Sequence, residues 1–346
     1  FSDGILGTVL LFLSAGVITG LTFAGGLISR HGSRRITTVA SVFFALALIL
    51  PGLAFNYWTL GSALFVFGAF TSIMDVAMNA QAVEIERRYA KPLMGSFHAS
   101  FSIGGFAGAL IGAGFVATGF DVLPHFVIVS LIFVVLLLFI TRYLVTIENE
   151  VNEEQDGSVI QLPPRSLWAL GFVAFSAAIG EGSMADWSAI YLQDVVGTSE
   201  ANAALGFAAF SLLMTAGRLL GDTLVARTSR ATIVRGGGAL AAVGILLAVL
   251  LPQFITSLLG FALVGAGVST IIPLAFSAAG NRTDVPPGVG IAGVATIGYA
   301  GFLAGPPVIG LLAESISLRF ALLFVAVLAA SLVLTGGAAG RGKHGE

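Results

Sequence analysis

The sequence contains no cysteine and very few charged residues. The lack of cysteine excludes disulfides, thiol nucleophiles and cysteine-ligated metal sites. Charged residues make up 10% of the 346 positions, whereas a soluble globular chain has about a quarter. Hydrophobic residues make up 57%, and the mean hydropathy is +0.99. This composition excludes a soluble protein and predicts one that is embedded in a lipid bilayer.

Long apolar runs fill most of the chain, and each is long enough to cross a membrane. A helix needs about 20 apolar residues to span the hydrocarbon core. Eleven runs of that size predict transmembrane helices over 5–28, 36–55, 59–82, 95–118, 122–145, 167–192, 201–225, 232–251, 254–279, 287–312 and 317–336. An odd number of spans places the two ends on opposite sides, and a twelfth helix is expected before Phe1.

Basic residues are confined almost entirely to alternate gaps between these runs. Of the 16 Lys and Arg residues, all but Arg319 lie in such gaps, toward the ends of the spans that border them, or in the C-terminal tail. Basic residues that flank membrane helices stay on the cytoplasmic side. The pattern therefore predicts a multi-pass membrane protein with a cytoplasmic C-terminus.

One long polar segment separates the fifth and sixth predicted spans. It runs from Thr146 to Arg165, is rich in glutamate and ends in Pro163-Pro164. An acidic segment of this kind does not enter a bilayer and is typical of a linker. The sequence thus predicts an N-terminal bundle over 1–145, a cytoplasmic linker over 146–165, and a C-terminal bundle with a short cytoplasmic tail over 166–346.

Short sequence repeats indicate that the two bundles are duplicated. The matching pieces lie 194 and 197 positions apart, in corresponding spans. They are Ser102-Ile103-Gly104 with Thr296-Ile297-Gly298, and Gly68-Ala69 and Ser72 with Gly265-Ala266 and Ser269. Parallel repeats of this type are an architecture of secondary transporters, with the substrate site near the midplane between the halves.

A basic turn joins the first two spans and carries a family resemblance. It reads Gly25-Gly26-Leu27-Ile28-Ser29-Arg30-His31-Gly32-Ser33-Arg34-Arg35. This turn resembles the loop signature G-x-L-A-D-R-x-G-R-K of the major facilitator superfamily, which lies between the second and third of twelve helices. The matching positions are Gly25, Arg30, Gly32, Arg34 and Arg35, whereas Ser29 replaces the usual Asp and Ser33 the usual Arg.

The resemblance implies an all-α polytopic membrane protein with the major facilitator fold, two pseudo-symmetric six-helix bundles of which 11 of 12 helices are present. A degenerate second copy of the loop contains Arg218 and Asp222, which can pair across one helical turn and are expected to be structural. Asp75-Val76-Ala77-Met78-Asn79-Ala80-Gln81 and the stretch from Glu181 to Tyr191 look like the fucose-permease-like branch. Its uncharacterised bacterial inner-membrane members are the closest in resemblance.

Four residues inside predicted spans are candidates for an ionisable group with a function, since a charge there costs at least about 2.5–3.5 kcal/mol. They are Asp75, His98, Glu181 and Asp186. All four are candidates for proton coupling, with Asp75 and Glu181 preferred. Asn79, Trp187 and Tyr299 are the candidates for substrate contact. Each of these residues also has a purely structural interpretation, such as an anchoring hydrogen bond or a solvated helix end.

These features predict a monomeric secondary transporter that alternates access and takes up a small polar solute, sugar-like by the resemblance, together with protons. The expected partners are the solute, protons and the lipid bilayer, with no nucleic acid, no cofactor and no metal. No arrangement of residues indicates an enzyme. A proton-driven exporter of amphipathic compounds remains an alternative, as does a transporter-like sensor or scaffold without flux.

Overall fold

The computed structural model describes residues 3–147 and 163–340, and these residues are helical almost throughout. The acidic stretch of the predicted linker and the basic C-terminal tail lie outside the described residues. The helices are α1 (Asp3–His31), α2 (Ser33–Ala47), α3 (Ile49–Leu53), α4 (Tyr57–Tyr89), α5 (Met94–Ala117), α6 (Val122–Ile140), α7 (Trp168–Asp194), α8 (Glu200–Arg227), α9 (Arg230–Leu250), α10 (Phe254–Val268), α11 (Ile271–Gly280), α12 (Pro287–Ile316) and α13 (Leu318–Thr335).

Helices occupy all eleven ranges predicted from the sequence, and ten of these segments in the described part are long and apolar enough to cross a membrane. The eleventh predicted span corresponds to α5, which is not among these ten segments. The all-α fold is therefore confirmed. In a bilayer this is expected, because only intrahelical hydrogen bonds satisfy the backbone of a single spanning segment.

Two of the predicted spans are interrupted helices rather than continuous ones. The span over 36–55 is divided between α2 and α3 after Ala47, and Pro51 lies four residues further on. The span over 254–279 is divided between α10 and α11 at Ser269, and Pro273 again lies four residues further on. A proline lacks the amide hydrogen and its ring collides with the carbonyl four residues earlier. Proline therefore sets the position of both breaks.

The chain forms two compact units. The first contains residues 1–88, 101–163 and 283–296, and the second contains 89–100, 164–282 and 297–346. The start of α5 thus packs within the second unit, and the start of α12 packs within the first. The sequence-based bundle boundaries at 145 and 166 stay a prediction.

In the first unit, α1 and α4 cross at small residues. A β-carbon on Gly68 would collide with the carbonyl oxygen of Leu13 and lie 3.1 Å from the backbone nitrogen of Val17. The hydroxyl of Ser72 donates to the carbonyl of Val17 at 3.0 Å, and it faces Gly20 so closely that a side chain there would overlap it. Glycine at these positions is required for the close approach of the two backbones.

The second unit repeats this crossing 197 positions later, between α8 and α10. A β-carbon on Gly265 would collide with the carbonyl oxygen of Phe210 and lie 3.1 Å from the backbone nitrogen of Met214. Ser269 faces Gly217 in the way that Ser72 faces Gly20. The predicted duplication is thus visible as the same contacts made by equivalent residues in both halves.

Candidate functional site

An ion pair lies inside the second unit between α7 and α8. The Nη2 atom of Arg218 lies 3.1 Å from Oε1 and 3.3 Å from Oε2 of Glu181. The side chains of Arg218 and Glu181 are 8% and 24% exposed. The sequence predicts Glu181 as a proton carrier, and the structure shows a buried guanidinium as its partner.

One turn further along α8, Asp222 accepts hydrogen bonds from the start of α5. The backbone amides of Gly95 and Ser96 donate to its two carboxylate oxygens, both at 2.8 Å, and the Ser96 hydroxyl also donates to Oδ2. The first amides of a helix have no intrahelical acceptor, and the helix dipole favours an anion there. Asp222 therefore stabilises the N-terminus of α5.

Glycine at position 95 makes this contact possible. A β-carbon there would lie 2.7 Å from Oδ1 of Asp222 and 2.9 Å from the carbonyl oxygen of Arg218. A side chain would therefore push α5 away from α8. Arg218 and Asp222 each contact another helix, and their predicted pairing with one another stays a prediction.

His98 lies in the first turns of α5, near the same region. Its ring centroid is 6.0 Å from that of Phe276 on α11, and Arg218 interacts with it electrostatically. The second unit thus brings together four residues that the sequence singles out from three separate helices. They are His98, Glu181, Arg218 and Asp222.

Asp75 and Asn79 lie together on α4 in the first unit. The side-chain amide of Asn79 donates to the Asp75 carbonyl at 2.8 Å and to Oδ1 of the Asp75 carboxylate at 3.1 Å. Asn79 is buried and Asp75 is half-buried. The predicted placement of both residues on one helix face agrees with this contact, while their roles stay predictions.

The remaining candidates lie on α7 and α12. Asp186 is exposed. The neighbouring Trp187 has its indole Nε1 buried without a hydrogen-bond acceptor among the described residues, and its ring lies 3.6 Å from the position that a β-carbon on Gly310 would take. Tyr299 packs near Phe302, with ring centroids 6.0 Å apart. The roles of these three residues stay predictions.

The basic turn between α1 and α2 lies entirely within the described residues. Gly32 has φ of 79°, which favours glycine and explains its place in the motif. Arg34 donates from Nη1 to the Thr146 hydroxyl at 2.9 Å and from Nη2 to the Arg142 carbonyl at 3.1 Å. Ser29 donates to the carbonyl of Gly25 at 3.0 Å, which is a bond within its own helix.

The contacts of Gln81 are not predicted from the sequence, which singles out this residue only as the end of a motif. Its Nε2 donates to Ser33 Oγ at 2.6 Å and to the Val145 carbonyl at 3.0 Å, while its Oε1 accepts from the Val145 amide at 2.9 Å. Gln81 is 2% exposed. A buried amide at the end of an apolar helix is the signal that points to such a contact. Among the described residues no group of three His, Asp or Glu side chains is placed to bind a metal.

A family model described as the Major Facilitator Superfamily matches residues 1–289. Three bacterial relatives align over 327 residues, or 94% of this chain. An uncharacterised MFS-type transporter of Yersinia pestis is 36% identical, with 84% of its length covered. An uncharacterised transporter of Sinorhizobium fredii is 38% identical with 86% covered, and membrane protein MosC of Rhizobium meliloti is 33% identical with 79% covered.

Solved structures resemble the whole described fold at low sequence identity. A variant of the fucose:proton symporter FucP of E. coli has a TM-score of 0.83 and 15% identity, and the match covers 98% of this chain and 92% of that one. The human organic anion transporter MFSD10 has a TM-score of 0.77 and 16% identity, with 96% and 84% covered. At these identities the likeness concerns the fold alone.

Proposed function

Since the chain belongs to the major facilitator superfamily of membrane transporters, we propose that it takes up a small polar solute together with protons by alternating access. Membership confirms the family predicted from the loop motif. The chain is a multi-span helical membrane transporter, and its relatives are bacterial. We place it in the inner membrane as a monomer with a cytoplasmic C-terminus, in agreement with the distribution of its basic residues.

The observation that supports proton coupling best is the ion pair of Glu181 with Arg218 inside the second unit. A carboxylate in a membrane span is usually paired with another group and usually has a function. Protonation removes the negative charge of Glu181 and weakens its attraction to the guanidinium. A carboxyl group placed in this way links proton binding to a change in helix contacts, which proton-driven transport requires.

Asp75 is the second candidate proton carrier. Asn79 holds its carboxylate by one hydrogen bond at 3.1 Å. A guanidinium neutralises a carboxylate and an amide does not, so protonation of Glu181 breaks a contact between opposite charges. We therefore assign the main coupling role to Glu181 and a supporting role to Asp75.

The solute class is inferred from the hydrogen-bonding groups among the candidates. The indole N–H of Trp187, which has no acceptor among the described residues, suits a solute with oxygen acceptors, and Asn79 and Tyr299 stay candidates from the sequence. FucP, a structural neighbour, is a fucose:proton symporter. We infer from both points that a sugar or a sugar-like polar molecule is transported.

The test uses the purified chain in proteoliposomes with a pH-sensitive dye inside and a library of sugars, polyols and organic acids outside. We expect one solute class to cause solute-dependent proton entry. Glu181→Gln should lower that entry by about tenfold or more, since an amide does not carry a proton across this pH range. Asp75→Asn should lower it less.

Glu314→Gln is the matched control, because Glu314 is an exposed acid on α12. It should keep the parent rate. If Asp75→Asn and Glu181→Gln both kept the parent rate of coupled entry, the proton-site assignment would be wrong. Solute-driven proton movement in the opposite direction would indicate an exporter, and no proton movement with any solute would favour a sensor.

A further inference from the structure

We propose that a phospholipid with an anionic headgroup binds to the lipid-facing surface of the first unit, between the start of α2 and the end of α6. Arg35 and Arg142 hold its phosphate, and rows of exposed apolar side chains on the two helices take its acyl chains. The inference does not depend on the proposed solute or on proton coupling, because neither arginine has a role in them.

The exposed face of α2 ends in an arginine. Val39 and Phe43 are 44% and 48% exposed, and Arg35, one turn before Val39, is exposed as well. Residues four apart lie on the same face of a helix, so Arg35 continues this apolar row to the start of α2. In a bilayer the row faces hydrocarbon chains, and a long basic side chain at its end extends to the level of the lipid headgroups.

The exposed face of α6 ends in the same way. Val135 and Phe139 are exposed one turn apart, and Arg142 follows Phe139 by three residues. The guanidinium carbon of Arg142 lies 4.2 Å from the centre of the Phe139 ring. A cation over the face of an aromatic ring is attracted to it. The ring therefore holds the charge of Arg142 at the end of the apolar row.

Contacts between α2 and α6 bring the two rows together. Toward the end of α2, the hydroxyl of Ser130 donates to the carbonyl of Ala45 at 2.6 Å. At the start of α2, Arg34 donates to the carbonyl of Arg142 at 3.1 Å. Arg35 is the next residue along α2, so the two arginines that end the rows lie at the same corner of the first unit.

No described acid forms an ion pair with the arginines at this corner. The helices α2 and α6 contain no Asp or Glu, and Glu84 on α4 is paired with Arg88 at 2.9 Å. Arg34 donates to a hydroxyl and a carbonyl, which leave its charge in place. Like charges repel one another at short range, and a phosphate between Arg35 and Arg142 removes this repulsion by accepting charge-assisted hydrogen bonds.

A phospholipid matches both parts of this surface. Its phosphate meets the arginines and its chains cover the apolar rows, whereas a soluble anion would cover only the arginines. Basic residues between membrane helices bind anionic headgroups, and each contributes about fivefold in affinity near the membrane surface. The predicted topology places this corner in the cytoplasmic leaflet, whose anionic lipids give it a negative surface potential.

Native mass spectrometry of the full chain, delipidated in detergent, measures the dissociation constant of the first bound lipid. The probes are dioleoyl phosphatidylglycerol, which is anionic, and dioleoyl phosphatidylcholine, which has no net charge. We expect phosphatidylglycerol to bind about tenfold more tightly or better. Arg35→Gln and Arg142→Gln should each weaken its binding about fivefold and leave the binding of phosphatidylcholine unchanged.

Phe139→Leu tests the position of the charge, because it keeps every charge and most of the apolar surface. It should weaken the binding of phosphatidylglycerol about two- to fivefold, since Arg142 loses the ring that holds it. Arg227→Gln is the matched control, because Arg227 is an exposed arginine at the end of α8. It should keep the parent dissociation constant. An equal loss in Arg227→Gln and Arg142→Gln would show a general attraction between charges and would overturn the site.

Two other occupants give different results. Glycerol phosphate, a soluble headgroup without chains, should not displace phosphatidylglycerol when added in excess, and displacement would show that the phosphate alone is recognised. The acidic stretch between 148 and 156 follows α6 in the sequence. If it occupied the arginines, the two phospholipids would bind equally well. Either result would overturn the assignment of this corner to an anionic phospholipid.

Discussion

At the scale of single residues, Arg319 is the exception in the charge pattern, and the structure shows what it does. Its Nε donates to the carbonyl of Val249 at 2.8 Å. The hydroxyl of Tyr191 donates to the preceding carbonyl, that of Ala248, at 2.7 Å. The last carbonyls of a helix have no intrahelical donors, and a cation near them is favourable. Arg319 and Tyr191 thus complete the C-terminus of α9.

Replacing Arg319 by methionine should lower the stability of the folded protein by about 1–2 kcal/mol, because a charge-assisted bond to a helix C-terminus is lost. Thermal unfolding in detergent, followed by tryptophan fluorescence, measures the change. Tyr191→Phe, which removes the adjacent bond and little volume, should lower stability by about 1 kcal/mol. A melting temperature equal to that of the parent for Arg319→Met would contradict this role.

At the scale of helices, small residues determine where helices pack closely, and the three successive glycines of α9 show it. Gly237 faces Gly267 on α10 so closely that a side chain would collide with its carbonyl oxygen. A β-carbon on Gly238 would lie 2.6 Å from the carbonyl oxygen of Ala329 on α13. A β-carbon on Gly236 would have no described atom within 4 Å, apart from its chain neighbours and the backbone of α9. Adjacent glycines therefore have different roles.

Gly237→Ala should destabilise the protein by about 1–3 kcal/mol, since the added methyl forces α9 away from α10. Gly236→Ala is the matched control in the same helix, with the same chemical change in open space. It should be neutral or stabilising by up to about 1 kcal/mol, because alanine is the better helix former. Equal melting temperatures for the two variants would show that the crossing of α9 and α10 is not close.

At the scale of the whole molecule, the segment after α6 leads into the predicted linker, and contacts within the first unit bind the described part of this segment. Gln81 forms two hydrogen bonds with the backbone of Val145, in the manner of a neighbouring peptide group. Arg88 donates to the Thr146 carbonyl at 2.7 Å, and Arg34 donates to its hydroxyl. The segment after α6 is therefore bound by α2 and α4.

Gln81→Leu should release this segment, because the part-buried backbone amide and carbonyl of Val145 lose their partner. We expect Glu-specific protease to cut the acidic stretch between 148 and 156 about threefold faster or more, in proportion to the released population. Gln193→Leu, at an exposed glutamine of α7, should cut at the parent rate. Unchanged cleavage in Gln81→Leu would mean that the other contacts hold the segment alone.

The sequence determined the number and approximate length of the membrane helices and the family, and its basic residues predict how these helices cross the bilayer. These features follow from local composition, because a segment of about 20 apolar residues partitions into lipid regardless of its neighbours. The motif residues Gly32 and Arg34 were also recognisable, and the repeats at 194 and 197 positions predicted the duplicated crossings of α1 with α4 and of α8 with α10.

Only the tertiary structure decided which partners the polar residues take. The spacing of Arg218 and Asp222 predicts only that they share one helix face, while the structure shows that Arg218 contacts Glu181, 37 positions earlier, and that Asp222 contacts Gly95 and Ser96, more than 120 positions earlier. Inside a membrane a polar side chain bonds either within its own helix or to a neighbouring helix, and helix packing decides which neighbour is within reach. Sequence spacing describes one helix at a time, whereas the contacts of Glu181, Arg218 and Asp222 lie between helices.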